Sequence, residues 1–317
     1  MCYLCFFLLV LVVLVGISFF TLLERSVLGY SQGRSGPNSL GYLGILQPMG
    51  DAIKLFSSES MRPIVSNYGI YLFSPLMGIF LSLIFWMSYP FFFNLSIFLF
   101  GLLYFVCVSS VSVYAMLASG WSSNSVYGML GSLRGVAQTI SYEVSMLIIL
   151  MSVMFMSGDF SFVGLVLSQD YAWFGIFMFP LMLILLSSFF AETNRSPFDF
   201  AEGESELVSG FNIEYSGGGF AFIFMAEYSS IMYMSMVFSL VFLGASMETF
   251  LFFFNLVLIM YLFVWIRASL PRYRYDSLMG LAWKIYLPVS LNIFVFFMMI
   301  SFVLLIFILL SKANKSV

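Results

Sequence analysis

The chain contains no histidine and only three cysteines, and these absences exclude several kinds of chemistry. Without histidine, no imidazole can ligate haem, complete a typical zinc site or act as the base of a Ser-His or Cys-His pair. Cys2 and Cys5 are neighbours, but Cys107 is distant, and an iron–sulfur cluster needs about four ligands. The cysteines are therefore interpreted as small apolar residues. We expect a chain that holds no metal and no cofactor by itself.

Charge is also scarce, because only 9% of the residues are charged while 62% are hydrophobic and the mean hydropathy is +1.05. The stretch from Pro63 to Leu133 carries no charged residue. Uniformly apolar runs of about 20 residues indicate membrane-spanning helices, whereas a β-barrel would alternate in polarity. Met1–Leu23 lacks a basic start and a cleavage site, so we expect a retained first helix rather than a signal peptide. The sequence predicts an all-α polytopic membrane protein, with residues 1–317 as a single membrane domain.

The apolar runs predict eight transmembrane helices, whose connections alternate between two sides. The helices are expected at residues 2–23, 68–90, 96–119, 137–157, 171–191, 219–243, 249–266 and 284–311. The connections on one side are 24–67, 120–136, the acidic 192–218 and the basic 267–283. Of the 12 Lys and Arg residues, all but Lys312 and Lys315 belong to this side. The positive-inside bias places it in the compartment of synthesis, with both termini on the opposite side.

The first long connection, 24–67, is rich in glycine and ends in a short amphipathic pattern. Met49, Ala52, Ile53 and Phe56 share one face of a helix over 49–58. The segment is too short to span a membrane. We expect it to lie at the membrane interface or to cover the base of the helix bundle, since amphipathicity does not distinguish the two.

Three acids lie inside or at the edge of apolar spans: Glu143, Glu192 and Glu227. A charge at the bilayer centre costs about 3 kcal/mol or more, and Glu227 has no basic residue within about four positions to pair with. Tyr142 and Tyr228 adjoin two of these acids and can donate hydrogen bonds. Intramembrane carboxylates are typical of proton or ion paths, and structural pairing is the alternative.

A second group of acids follows the fifth predicted helix, where Arg195 is the only base. The acids are Asp199, Glu202, Glu204, Glu206 and Glu214. Crowded carboxylates repel one another, which raises the pKa of at least one of them. A calcium site is an alternative, because calcium prefers many oxygen ligands. The spacing, however, does not match an EF-hand loop.

A set of long motifs gives the chain a specific resemblance. The motifs are Glu24–Tyr30, Gln32, Gly36–Asn38, Gln47–Pro48, Asp51–Phe56, Ser141–Val144, Ala191–Arg195, Pro197–Val208, Met225–Tyr228 and Leu270–Asp276. From about residue 20 to residue 285 the chain resembles the NADH–ubiquinone oxidoreductase chain 1 family. These proteins are the mitochondrially encoded quinone-module membrane subunits of respiratory complex I. The resemblance implies a ubiquinone tunnel that enters from the membrane. Ser26 and Ser35 depart from the family, which more often has lysine there, so two positive charges that could attract a quinone headgroup or a lipid are missing near the tunnel entrance.

The resemblance implies a place and a role. It implies eight transmembrane helices in the mitochondrial inner membrane, charged loops on the matrix side against the peripheral arm, and both termini facing the intermembrane space. Its implied partners are other complex I subunits and membrane lipids. Ubiquinone is the implied substrate, and NADH, FMN and iron–sulfur clusters are expected on partner subunits. The chain would be part of a proton-translocating reductase without being catalytic alone.

The resemblance and the acid pattern together assign residues to two features. The expected quinone-tunnel residues are Glu24, Arg25, Gln32, Arg34, Asp51, Lys54, Phe56, Tyr228, Arg272 and Arg274. The expected proton-path residues are Tyr142, Glu143, Glu192, Asp199, Glu202, Glu204, Glu206, Glu214 and Glu227.

Two other classes of protein compete with this interpretation. A secondary cation–proton transporter would use the acids as its ion site, but such folds commonly contain inverted repeats and no repeated half is visible. A structural membrane anchor for a soluble complex would not need the intrahelical Glu143 and Glu227.

Overall fold

The computed structural model describes residues 2–61, 63–90, 98–203, 207–208, 210–244 and 249–315, and it contains no strand within these ranges. Arg62, Glu204, Glu206 and Glu248 lie outside the described residues. The helices are α1 (Cys2–Ser31), α2 (Gln47–Ser57), α3 (Tyr68–Phe85), α4 (Gly101–Ser122), α5 (Val126–Ser157), α6 (Phe162–Ser168), α7 (Phe174–Phe177), α8 (Phe179–Glu192), α9 (Gly217–Phe242), α10 (Phe250–Ser269), α11 (Tyr275–Leu281) and α12 (Leu287–Lys315). A π-helical turn, Ala282–Tyr286, makes α11 and α12 continuous.

Seven helices in the described part of the chain are long and apolar enough to cross a membrane. They are α1, α3, α4, α5, α9, α10 and the continuous stretch Tyr275–Val303. The helix predicted over 171–191 is instead divided into α7 and α8, because Met178 leaves helical geometry (φ −111°, ψ 35°) and Pro180 starts a new helix. The 14 residues of α8 reach about 21 Å, compared with about 30 Å of bilayer hydrocarbon. The predicted count of eight is therefore not confirmed.

Several helices are longer than the hydropathy pattern predicts. Helix α1 continues past the predicted end at residue 23, because Glu24 and Arg25 both find ion partners within the fold. Helix α5 begins at Val126 rather than at the predicted residue 137. The Ser125 hydroxyl caps this start by accepting a hydrogen bond from the Gly128 amide (3.2 Å). The connection predicted over 267–283 is largely helical. A charge that is satisfied by a tertiary partner does not end a helix.

Helix α9 lies at the centre of the bundle. Every residue from Ile231 to Phe242 is buried, and the helix packs against α1, α2, α3 and α10. A helix that is apolar on all sides belongs in the interior, whereas α1 and α12 expose long apolar faces at the periphery. The acid of this helix, Glu227, lies about one turn before this buried stretch and is partly buried.

The connections that the charge pattern places on one side are in contact with one another at one end of the bundle. The hydrogen bonds at this end are Asn67 N to Ser122 O (3.0 Å), Met61 N to Ser216 Oγ (2.7 Å) and Tyr273 N to Pro197 O (3.1 Å). The other end is joined by Leu102 N to Phe160 O (3.3 Å) and by Gln169 Nε2 to Val241 O (3.2 Å). The long helices thus run between two distinct ends, and most charges gather at the first.

Candidate functional site: a series of carboxylates in the helix bundle

The acidic segment after α8 folds into the bundle instead of forming a surface loop. Phe200 and Ala201 are fully buried. Gly131 and Gly135 of α5 make room for them, since a Cβ at Gly131 would lie 2.9 Å from the Ala201 carbonyl oxygen. This close approach of backbones is what small residues four apart on a helix permit. It brings the acids of the segment next to helical residues.

Asp199 and Glu202 form a linked pair within this segment. The Glu202 amide donates to Asp199 Oδ1 (3.3 Å), and the Asn212 side-chain amide donates to Glu202 Oε1 (2.8 Å). Burial and, next, the neighbouring Asp199 charge raise the pKa of the Glu202 carboxyl to about 7, against the lowering effects of Arg195, Arg267 and the Asn212 bond. Burial also raises the pKa of Asp199, although the charge of Arg272 opposes the shift. Glu202 can therefore exchange a proton near neutral pH.

Glu24 is the centre of a buried ion cluster where α1, α9 and α10 meet. Its side chain accepts from Arg195 Nη1 (3.3 Å) and from Arg267 Nη1. The Arg195 guanidinium also lies over the ring of Tyr228, 4.4 Å from the ring centroid. Burial lowers the pKa of Arg195, but the charges of Glu24, Tyr228 and Glu227 together outweigh it and the pKa is raised overall. The cluster fixes Arg195, and with it the start of the acidic segment, against α1.

A cavity of about 120 Å³ lies between α3, α4, α5 and α9. Glu192 and Glu227 both line it, together with the Asn194 side chain. Its hydroxyl-bearing lining residues are Ser74, Ser82, Ser112, Ser119, Thr139 and Ser230. A buried water needs about 10–15 Å³ of such space and several polar partners. The cavity can therefore hold several water molecules between two carboxylates.

The carboxylates interact electrostatically in a spatial order that differs from their order in the sequence. The charge of Asp199 acts on Glu202, and the charges of Glu202 and Asp199 both act on Glu227, that of Glu202 more strongly. Glu227 shares the cavity with Glu192, and Glu143 of α5 acts on Glu192. Within the described residues, Glu143 Oε1 and Glu192 Oε2 are buried and have no hydrogen-bond partner. Among the expected proton-path acids, Asp199, Glu202, Glu227, Glu192 and Glu143 therefore form one series. Glu204 and Glu206 lie outside the described residues.

Tyr142, Glu214 and Arg272 are expected site residues that pack near this series. Tyr142 is buried, and its hydroxyl donates to the Leu278 carbonyl (3.3 Å). Glu214 contributes its backbone carbonyl, which accepts a hydrogen bond from the Tyr71 hydroxyl (2.6 Å). Arg272 lies 5.2 Å from the Phe200 ring centroid. These residues pack around the acids without joining the series.

The other expected tunnel residues lie mostly at the surface of this chain. Arg25 pairs with Asp51 of α2, Arg34 Nε donates to Gln32 Oε1 (3.0 Å), and Arg274 pairs with Asp276 (3.1 Å). Lys54 and Phe56 are exposed on α2, and the Phe56 ring contacts that of Phe222 (5.9 Å between centroids). The structure thus separates Glu24 and Tyr228, which are interior, from a set of tunnel candidates near α2.

Sequence reasoning missed four polar residues of the site. Arg267 completes the Glu24 cluster, Asn212 holds Glu202, Asn194 lines the cavity and Gln138 binds the backbone beside two acids. A neutral amide inside an apolar helix, as at Gln138, was the available signal. Their roles depend on contacts between residues that are far apart in the sequence.

Within the described part of the chain, no group of three or more Cys, Asp or Glu side chains is placed to hold a metal ion. The calcium alternative also involves Glu204 and Glu206, which lie outside the described residues.

Comparison with known proteins assigns a family. The model of the NADH dehydrogenase family matches residues 4–309. The chain belongs to the NADH dehydrogenase family. Its relatives include NADH-ubiquinone oxidoreductase chain 1 of Aedes aegypti, 57% identical over 290 residues (92% of this chain and 93% of the relative). The protein of that name from Locusta migratoria is 56% identical (93% and 94% covered), and that from Monodelphis domestica is 45% identical (91% and 93% covered).

Proposed function

We propose that the chain is the core membrane subunit of proton-pumping NADH:ubiquinone oxidoreductase that forms the ubiquinone access tunnel and begins the acidic proton-coupling path. Relatives named NADH-ubiquinone oxidoreductase chain 1 support a membrane subunit of respiratory complex I, which is not catalytic alone. Ubiquinone is then the substrate, and NADH, FMN and iron–sulfur chemistry belongs to partner subunits. The apolar helices and the animal relatives fit a multi-pass protein of the mitochondrial inner membrane.

The observation that carries the coupling part of this proposal is the continuous series of carboxylates. It begins at Asp199 and Glu202 in the loop, enters the bundle at Glu227, crosses the hydroxyl-lined cavity to Glu192 and ends near Glu143. Reduction of a quinone to a quinol consumes protons. A proton withdrawn from the loop pair changes the charge that acts on Glu227, and each following carboxylate responds to its neighbour. The series would carry this signal toward the antiporter-like subunits.

The region around α2 is the proposed quinone entrance. Met49, Ile53 and Phe56 expose the apolar face of α2, which suits a long isoprenoid tail. Arg25 and Asp51 lie beside it and suit a polar headgroup on its way inward. In this proposal the tail lies along α2 at the membrane interface, and the inner end of the tunnel is formed near Glu24, Tyr228 and the 192–218 segment. Arg34, Lys54 and Arg274 contribute positive charge outside it.

The proposed orientation places the charge-rich end of the bundle on the matrix side, with both termini in the intermembrane space. The distribution of Lys and Arg supports it. In this topology α7 and α8 together form the eighth crossing. The hydrogen bond of Gln169 to Val241 lies at one end of this crossing, and the Glu24 cluster lies at the other.

The test uses Glu192→Gln and Glu227→Gln in the assembled complex, because each change keeps shape but removes titration. We expect lower quinone reductase turnover and fewer protons pumped per electron pair, while electron transfer from NADH to artificial acceptors on the peripheral arm continues. Asp276→Asn is the matched control, since Asp276 is exposed and pairs with the exposed Arg274 rather than with an acid of the series. Wild-type pumping stoichiometry in both glutamine variants would show that these carboxylates are structural and would contradict the proposal.

A further inference from the structure

Gln138 of α5 is fully buried, and its side chain binds the backbone at the end of α8 and again in the acidic segment that follows. Its single amide nitrogen donates to the Ala191 carbonyl (2.8 Å) and to the Phe198 carbonyl (2.7 Å). Ala191 directly precedes Glu192, and Phe198 directly precedes Asp199. One side chain therefore fixes the backbone next to an acid of the cavity and next to an acid of the loop.

The position of Gln138 on α5 adds a third link. Tyr142 lies four residues further along the same helix and Glu143 follows it, so Gln138 is about one turn from the far end of the carboxylate series. Gly135, about one turn before Gln138 on the same face of α5, lies against Ala201 of the same acidic segment. Helix α5 thus meets this segment on one face, and Gln138 supplies its polar contact.

We propose that Gln138 is a positioning residue of the proton-coupling path, which fixes the separation between Glu192 and the Asp199–Glu202 pair. This role rests on the proposed function of the carboxylate series. Transfer of a proton or of a charge signal between carboxylates depends steeply on their separation and orientation. A side chain bound to both backbones ties the end of α8 to the start of the Asp199–Glu202 pair. Gln138 itself neither titrates nor contacts substrate.

A second buried glutamine provides a comparison within the same protein. Gln169 also donates from Nε2 to backbone carbonyls, those of Leu240 (2.9 Å), Val241 (3.2 Å) and Leu165 (3.3 Å). It lies at the opposite end of the bundle, and the carbonyls that it holds are not next to an acid. The two glutamines make the same kind of bond, but only Gln138 makes it within the carboxylate series.

Titratable and charged groups lie on the helix that carries Gln138 and on the elements around its two carbonyl partners. They are Arg134, Tyr142 and Glu143 of α5, Glu192 of α8, Arg195, Asp199 and Glu202 of the following segment, and Tyr273, Tyr275 and Tyr286 between α10 and α12. These groups titrate as well, so the pH dependence of a variant at residue 138 must be compared with that of the unchanged protein.

The experiment compares Gln138→Glu and Gln138→Met in the assembled complex reconstituted in proteoliposomes. In Gln138→Glu, the protonated carboxyl has one donor and can hold one of the two carbonyls, whereas the ionised carboxylate holds neither. We expect both variants to show a quinone reductase turnover about tenfold lower than that of the unchanged protein. A tenfold change corresponds to about 1.4 kcal/mol, which is the size of one buried hydrogen bond. The protons pumped per electron pair should fall as well. The defect of Gln138→Glu should deepen as pH rises, and that of Gln138→Met should not.

Gln169→Glu is the matched control and should lower thermal stability without changing stoichiometry or the pH profile. Gln138 variants that assemble and pump with wild-type stoichiometry and pH profile would overturn the positioning role. Failure of both Gln138 variants to assemble, while Gln169→Glu assembles, would make the role structural and would also overturn it. Glu192→Gln, measured in the same experiments, separates the positioning role of Gln138 from the proposed function. Normal pumping by Glu192→Gln counts against the proposed function itself.

Discussion

Neighbouring residues of α1 form ion pairs in opposite environments. Glu24 is buried (5% exposed) and pairs with Arg195 and Arg267, whereas the adjacent Arg25 and its partner Asp51 are open to solvent. An exposed pair gains little because water screens the charges and the side chains lose freedom. A buried pair depends on both partners, because the charge that is left behind cannot be solvated.

We predict that Glu24→Gln destabilises the protein by about 3–5 kcal/mol, because Arg195 loses its carboxylate in the interior. Asp51→Asn, which breaks the exposed pair, should cost about 1 kcal/mol or less. Thermal inactivation of the purified complex measures both changes. Equal stability of the two variants would contradict the structural role assigned to the Glu24 cluster.

Glu202 makes stability depend on pH. Its pKa is raised from the ordinary value of 4.5 to about 7 by burial and by Asp199, so the folded state binds this proton more tightly than the unfolded state. The stability contributed by the protonated form is fully present below 4.5 and is lost as pH rises through about 7.

Glu202→Gln should remove this dependence, so the variant should lose less stability than the unchanged protein as pH rises from 4.5 to about 7. Melting temperatures over a pH series provide the measurement. Asp276→Asn, at an exposed position, should leave the original slope. A slope that is unchanged in Glu202→Gln would mean that another group titrates there.

At the scale of elements, α5 is the support on which the acidic segment rests. Gly131 faces backbone atoms of that segment, and a Cβ added there would lie 2.9 Å from Ala201 O and 3.0 Å from Gly210 Cα. Backbone atoms cannot move aside as a flexible side chain can. The packing of α5 therefore fixes where Asp199 and Glu202 lie.

We predict that Gly131→Ala destabilises the protein by about 1–3 kcal/mol, because the added methyl group overpacks a backbone contact. Gly280→Ala in α11 is the control, since no atom lies within 4 Å of its Cβ position. That change should stabilise the helix by up to about 1 kcal/mol. Thermal inactivation and quinone reductase turnover should both be measured, and a neutral Gly131→Ala would argue against close packing.

At the scale of the whole molecule, the two ends of the bundle should face different compartments. Ile64 and Tyr171 are fully exposed and lie at opposite ends. In a background without the native cysteines, Ile64→Cys should react with an impermeant thiol reagent from the matrix side and Tyr171→Cys from the intermembrane side. Reaction of both from one side would contradict the proposed topology.

Hydropathy and charge alone determined the helical class, most helix positions and the gathering of charges at one end. These properties depend on local composition, because a bilayer requires apolar helices of a certain length and charge bias sets their direction. They also indicated Glu143, Glu192 and Glu227 as unusual acids. The helix bounds were less well predicted, since hydropathy ends a span at Glu24 whereas the ion cluster lets α1 continue to Ser31.

Only the tertiary structure decided which residues form the site. Glu24 meets Arg267 across 243 residues of sequence, and Gln138 meets the carbonyl beside Glu192 across 53. Hydropathy cannot report such contacts, because they depend on how whole helices pack. Burial, and with it the pKa of Glu202, follows from the same packing. The acids were visible in the sequence, but their spatial order was set by the glycines of α5 and by the central position of α9, which bring distant segments within reach of one another.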